Sequence, residues 1–154
     1  DGRARPPAAS PAAPAAAGVP VEISVHIERV GDRRVPGRGW IGTRGERLRL
    51  EAFGLTPLGE IAPADLEYMA FGPAGRQTPW ASEGRLVGSR GRALPLTGIA
   101  VRLNPALAGS FEAVYRGAFF SGAVVGPCRD GEPCLSPNAD DPLEAIEIAI
   151  RERG

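Results

Sequence analysis

Three segments of the chain share one pattern, and any fold must accommodate all of them. Leu50-Glu51-Ala52-Phe53-Gly54-Leu55, Leu96-Thr97-Gly98-Ile99-Ala100-Val101 and Leu143-Glu144-Ala145-Ile146-Glu147-Ile148 read as leucine, polar, small, apolar, any residue, apolar. They recur at intervals of 46 and then 47 residues. Upstream, Gly42-Thr43-Arg44-Gly45 and Gly88-Ser89-Arg90-Gly91 stand at one offset, followed by Leu48 and Leu94. Val21-Glu22-Ile23, Leu66-Glu67-Tyr68 and Phe111-Glu112-Ala113 open the three units at an interval of 45. A repeat of this kind is a supersecondary unit that buries its apolar face against its neighbours. The chain is therefore read as one domain over residues 21–154, with units over about 21–63, 64–109 and 110–154.

Each unit opens and closes with a strand signal. Val21, Ile23, Val25 and Ile27 alternate with Glu22, Ser24, His26 and Glu28, the period of a strand with one buried face. In the closing segments the apolar set jumps by one residue, at Ala52 to Phe53, Gly98 to Ile99 and Ala145 to Ile146. Such a jump predicts a bulge or bend at the same place in every unit. Asp141-Pro142-Leu143-Glu144 also fits a helix start, but Gly54, Gly98, Ile99 and Val101 in the equivalent segments favour strand. With 21 Gly, 16 Pro and 6% aromatic residues, the expected class is all-β: a pseudo-threefold repeat, β-prism-like, with a β-trefoil as the alternative.

Eighteen basic and eighteen acidic residues leave a formal net charge of +0, so no single-sign field is available to hold a nucleic-acid backbone or an anionic bilayer. Every basic residue is arginine, which removes lysine Schiff-base and P-loop chemistry. No stretch approaches the roughly 20 apolar residues of a membrane span, and neither membrane insertion nor nucleic acid is expected. Residues 1–20, built mainly of Ala and Pro, read as a polyproline-like tail or linker. Such a stalk suits a secreted or cell-surface protein after signal cleavage.

The middle unit runs Glu67-Tyr68-Met69-Ala70, Pro79-Trp80, Gly84, Gly88, Ser89-Arg90-Gly91, Leu94, Leu96, Ile99 and Leu103. It resembles the clostridial hydrophobic repeat with a conserved tryptophan. Loosely the resemblance spans most of the chain, but it is specific in residues 66–103 alone. The first unit displaces its tryptophan to Trp40, and the third has none and inserts a loop with two cysteines. What the resemblance implies is a non-catalytic module of bacterial surface or secreted proteins, acting in attachment or polymer binding.

Trp40 and Trp80 are candidate platforms for sugar rings, since an indole offers a stacking face and an N–H donor; Tyr68 is grouped with them. The competing reading makes Trp80 a repeat-defining core residue and leaves Trp40, between Gly39 and Gly42, more exposed. The glycine-rich turns lack the lysine and helix of a phosphate loop and are expected to serve positive-φ turns. Cys128 and Cys134, bracketing Asp130-Gly131, suggest a disulfide-closed loop. Asp130, Glu132, Asn138, Asp140 and Asp141 do not follow a calcium-loop spacing and are read as turn and capping residues. His26 has no recognisable nucleophile partner, and no catalytic constellation, metal site or cofactor is expected. The function expected is a non-catalytic extracellular or surface module binding glycan or another polymer. The alternative is a structural subunit of an extracellular assembly, its tail docking on another copy of itself.

Overall fold

The computed structural model describes residues 18–89, 92 and 94–153. Arg90 and Gly91 of the second glycine turn, and most of the tail, fall outside them. The fold is nearly all β, with twelve strands among the described residues: β1 (Gly18–Val19), β2 (Val21–Ile27), β3 (Gly31–Pro36), β4 (Ile41–Gly42), β5 (Leu50–Pro57), β6 (Leu66–Phe71), β7 (Val87–Gly88), β8 (Gly98–Leu103), β9 (Phe111–Phe119), β10 (Val124–Arg129), β11 (Cys134–Leu135) and β12 (Leu143–Glu152). Among the described residues the paired backbone already includes Gly18, ahead of the expected boundary, because β1 pairs with β12 and buries Val19. Leu143–Glu152 is a strand, as its repeat equivalents require.

Three antiparallel sheets form, ordered β3-β2-β5-β7, β11-β8-β6 and β1-β12-β9-β10, with β4 also on β12. In each, the opening strand of a unit lies beside its own closing strand: β2 on β5, β6 on β8, β9 on β12. The register places Ile23, Tyr68 and Tyr115 opposite Leu55, Val101 and Ile148. In the third unit Ala113, rather than Phe111, thus holds the place of Val21 and Leu66. The shift keeps the same residues inward because strand side chains repeat every second position. Tyr68 and Tyr115 then make matching bonds, their hydroxyls donating to the carbonyls of Arg85 and Glu132.

A short strand from each unit crosses to a neighbour's closing strand. β4 pairs with β12, β7 with β5 and β11 with β8. At two junctions a glycine faces an alanine, Gly42 on Ala145 and Gly88 on Ala52. At the third the sizes are exchanged, with Leu135 on Gly98. A Cβ added at Gly98 would come within 2.3 Å of the Leu135 side chain and 2.8 Å of the Cys134 carbonyl oxygen. Gly98→Ala is therefore expected to cost about 1–3 kcal/mol by overpacking. Adding Leu135→Ala should recover about 1 kcal/mol of it as a coupling energy. Urea denaturation of both single mutants and the double mutant measures this, and strictly additive losses would contradict the contact.

The expected bulge is present in two units and falls at the polar residue before the apolar jump. The ladder slips between Leu50 and Ala52, leaving Glu51 as the extra residue, and between Leu143 and Ala145, leaving Glu144. No such slip occurs between β6 and β8, whose ladder starts at Gly98. The apolar jump itself arises because the closing strands are buried on both faces; β5, for example, has Leu50 to Leu55 buried throughout. Glu144 is buried yet paired, accepting the N–H groups of Gly45 and Arg47 from the first unit's turn at 2.7 and 3.1 Å. Leu50, Leu96 and Leu143 lie in one buried cluster and are linked through their backbones. Leu96 N–H donates to Leu50 O and Leu143 N–H to Leu96 O, each at 2.8 Å. One apolar cluster joins residues from all three sheets.

Candidate ligand-binding groove

The three aromatic residues singled out from the sequence are not assembled into one site. Tyr68 is fully buried beside Phe53, with ring centroids 5.5 Å apart, and no ligand reaches it without opening the core. Burial pushes the Tyr68 phenol pKa up. Trp80 is half-buried, covering Met69, Phe71 and Ala100 on the outer side of the β6–β8 pair. The Arg102 guanidinium lies 3.8 Å from its ring centroid and is itself held by Glu67 at 2.8 Å. A sugar stacking there would have to displace Arg102. Trp40, also half-buried, contacts Arg44 at 5.2 Å and Arg116 at 4.9 Å, and Arg116 is paired with Glu147.

The cysteine expectation is corrected: Cys128 and Cys134 are free and buried, and no disulfide closes the loop. The two residues belong to different sheets, Cys128 pairing opposite Tyr115 and Cys134 opposite Ile99. Their thiols point to separate carbonyls, of Pro133 and Val125. Burial, reinforced by the adjacent Cys128, pushes the Cys134 thiol well up and keeps it protonated.

The acidic residues of that loop act on backbone and hydroxyl groups. Asp130 accepts from Ala113 N, Asp140 from Ala74 N, Glu132 from Arg129 N, and Asp141 from Ser121 and Ser136. Burial alone would raise the Asp141 pKa, but these serine hydrogen bonds outweigh it and hold the carboxyl below its usual range. Glu112 is lowered first by the hydrogen bond from Arg151, with burial opposing and Arg129 adding to it. A carboxyl depressed in the folded state contributes stability at pH values above its unfolded pKa, about 4. That contribution is lost as pH falls through the folded value. The urea midpoint should hold from pH 7 to about 5 and drop below about 4, with a shallower drop in Glu112→Gln. An identical acid profile in that variant would contradict the linkage.

Among the described residues, two depressions stand out. One, about 480 Å³, is lined by Ser24, Asp32, Arg33, Arg34, Gly84 and Leu86. Its charges are already engaged: Arg34 with Glu22, Arg33 on the Asp32 carbonyl, and Asp32 on His26. His26 sits between Asp32 and Glu51, with Nδ1 at 2.7 Å and Nε2 at 3.5 Å from their oxygens. The other, about 300 Å³, runs between the turn Gly72 to Thr78 and a side lined by Gly88, Ser89, Arg92 and Leu94 to Leu96. Phe71, Leu94, Pro95 and Leu96 supply its apolar lining, and Arg76, Gln77 and Arg92 its exposed polar one. Leu94 is 41% exposed there. Neither Arg76 nor Arg92 has an acidic partner among the described residues.

Hydrogen bonds from within the fold hold the turn of this second groove and Leu94 opposite it. Segment 76–81 runs antiparallel to β6, with Thr78 N donating to Ala70 O and Ala81 N to Tyr68 O. The turn before it carries Ala74 in the left-handed region, φ 60°, a conformation an alanine keeps only when its surroundings hold it. Asp140 binds the Ala74 N–H at 2.9 Å, and Thr97 Oγ1 donates to Gly72 O at 3.1 Å. Opposite, the Ser89 hydroxyl bonds both the carbonyl and the N–H of Leu94. Sequence reasoning missed Arg76, Gln77 and Leu94, and it set aside an anion cradle in the glycine turn running to Arg92 in favour of a positive-φ turn. A signal existed, since residues 68–111 hold five arginines against Glu83 alone, a local excess hidden by the balanced total.

No protein-family profile, curated protein or solved structure matches the chain.

Proposed function

We propose that the chain is a non-catalytic extracellular or surface module: three β units closed around a shared axis, β-prism-like rather than a β-trefoil, that bind a glycan or another polymer. The cyclic set of junctions supports the closed arrangement, each unit lending a short strand to a neighbour's closing strand. One sheet per unit favours the prism over hairpin pairs. The resemblance of the middle unit to the clostridial hydrophobic repeat points the same way.

The observation that carries the binding reading is the groove between Phe71 and Leu96. It combines an apolar floor, exposed amide and guanidinium groups without acidic partners, and a turn and a leucine held in place before any ligand arrives. Ligand sites are typically concave, largely apolar and furnished with a few oriented polar groups. The test is affinity electrophoresis of the chain through gels containing neutral and acidic polysaccharides, with light scattering on the same sample. Retardation by at least one polymer, from a monomer, is the expected result. A chain that is retarded by none and assembles with itself would instead be a structural subunit.

A further inference from the structure

Resting on that reading, we propose that the groove selects an acidic polymer: a glycan bearing carboxylate or sulfate, whose charged group lies between Arg76 and Arg92 while a sugar face rests on Leu94 and Pro95. Four observations converge on this class of ligand.

The first is the state of the cations. Across the molecule, arginines at the sheet surfaces are matched to carboxylates: Arg102 to Glu67, Arg116 to Glu147, Arg49 to Glu28 and Glu51, and Arg151 to Glu112. Arg76 and Arg92 have no acidic partner among the described residues, a state they share with Arg29, Arg33, Arg38, Arg44 and Arg47, but these two line one depression together. Asp140, the carboxylate joined to the same turn, is engaged by the Ala74 N–H. Two guanidiniums facing one cleft attract an anion, and their planar forks suit carboxylate and sulfate oxygens.

The second is the apolar component. Leu94 and half-buried Pro95 open on the space above the buried Phe71 and Leu96, so the ligand carries C–H surface as well as charge. A bare inorganic anion would leave that surface wet, whereas a sugar ring presents an apolar face beside its polar edge.

The third is size. At about 300 Å³ the groove lies at the small end of ligand sites and admits a short stretch of a chain rather than a folded partner. Two cations with a net charge of +0 also fall short of the many phosphate contacts that hold nucleic acid.

The fourth is rigidity. The strained Ala74 turn and its Asp140 brace hold one rim in the unliganded protein, and the Ser89 hydroxyl holds Leu94 on the other. Little ordering then remains to oppose binding.

The experiment is calorimetric titration of the chain with galacturonate oligomers, neutral galactose oligomers of equal length, sulfated galactose oligomers and duplex DNA. Arg76→Gln and Arg92→Gln are measured alongside; both residues are exposed, and a thermal melt checks that each variant stays folded. The acidic sugars should bind about tenfold or more tightly than the neutral ones. Each glutamine variant should lose about tenfold for acidic sugar and little for neutral sugar, and added salt should weaken binding. The ratio of galacturonate to sulfated oligomer affinity identifies which anion is preferred. Equal binding of neutral and acidic oligomers, or binding untouched by both variants, overturns the acidic preference while leaving a glycan-binding module standing. DNA binding as tight as acidic sugar overturns it as well. Silence toward every sugar removes the module reading together with the inference.

Discussion

Gly42→Ala is expected to lower stability by about 3–5 kcal/mol, among the larger losses a single substitution produces. The added Cβ would lie 2.3 Å from the carbonyl oxygen of Glu144 and 3.1 Å from the Ala145 Cα. Both are backbone atoms of β12, so nothing flexible can yield. The residue also has φ 97°, where alanine is strained. Two effects therefore add, and Gly45→Ala separates them: it shares a positive φ of 86° but meets nothing within 4 Å. That control should lose about 1–2 kcal/mol. Gly88, at φ 116° and with Glu51 O at 2.3 Å, should behave like Gly42. Urea denaturation reads all three, and Gly42→Ala losing no more than Gly45→Ala would contradict the β4–β12 junction.

The second large effect lies in the apolar core. Leu50, Leu96 and Leu143, exposed by 0%, 2% and 0%, come from three units and are linked in sequence by backbone hydrogen bonds. Leucine to alanine at a site that cannot collapse costs about 2–5 kcal/mol. Each of the three substitutions should fall in that range and agree with the others within about 1 kcal/mol, given the spread of such losses. Leu94→Ala, on the exposed rim of the groove, should stay within about 0.5 kcal/mol of the unmodified chain. A core leucine whose loss costs under about 1 kcal/mol would mean that its unit does not share the core.

Much of the framework was legible because it rests on periodicity. The alternation from Val21 to Ile27 gave β2 its buried face, and repetition decided that Leu143 to Glu152 is a strand against local helix signals. The bulges were visible as a phase change but misplaced by about one position. An apolar jump records where burial changes, whereas the ladder slips at the polar residues Glu51 and Glu144. The third opening strand was aligned two residues early, since a shift by the strand period leaves the inward set unchanged.

What escaped the sequence was tertiary. The exchange of sizes at Leu135 and Gly98 is invisible until pairing shows them opposite. Cysteine spacing suggested a disulfide, but the two residues pair into different sheets and remain free thiols. Indole content drew attention to Trp40 and Trp80, each of which carries arginine against its ring. The groove is made of a turn and a rim whose residues are common types. Only their convergence on one space, with two arginines lacking acidic partners, distinguishes them.

The most direct measurement is a two-dimensional amide spectrum of the isotopically labelled chain, titrated with the oligosaccharide that binds best in the calorimetric series. Shifts should concentrate at Phe71 to Thr78 and at Ser89 and Leu94 to Leu96, the two rims of the groove, and leave the Trp40 indole unmoved. Shifts centred on Trp40 or on β3, or none with any polymer, would contradict a binding module built on this groove.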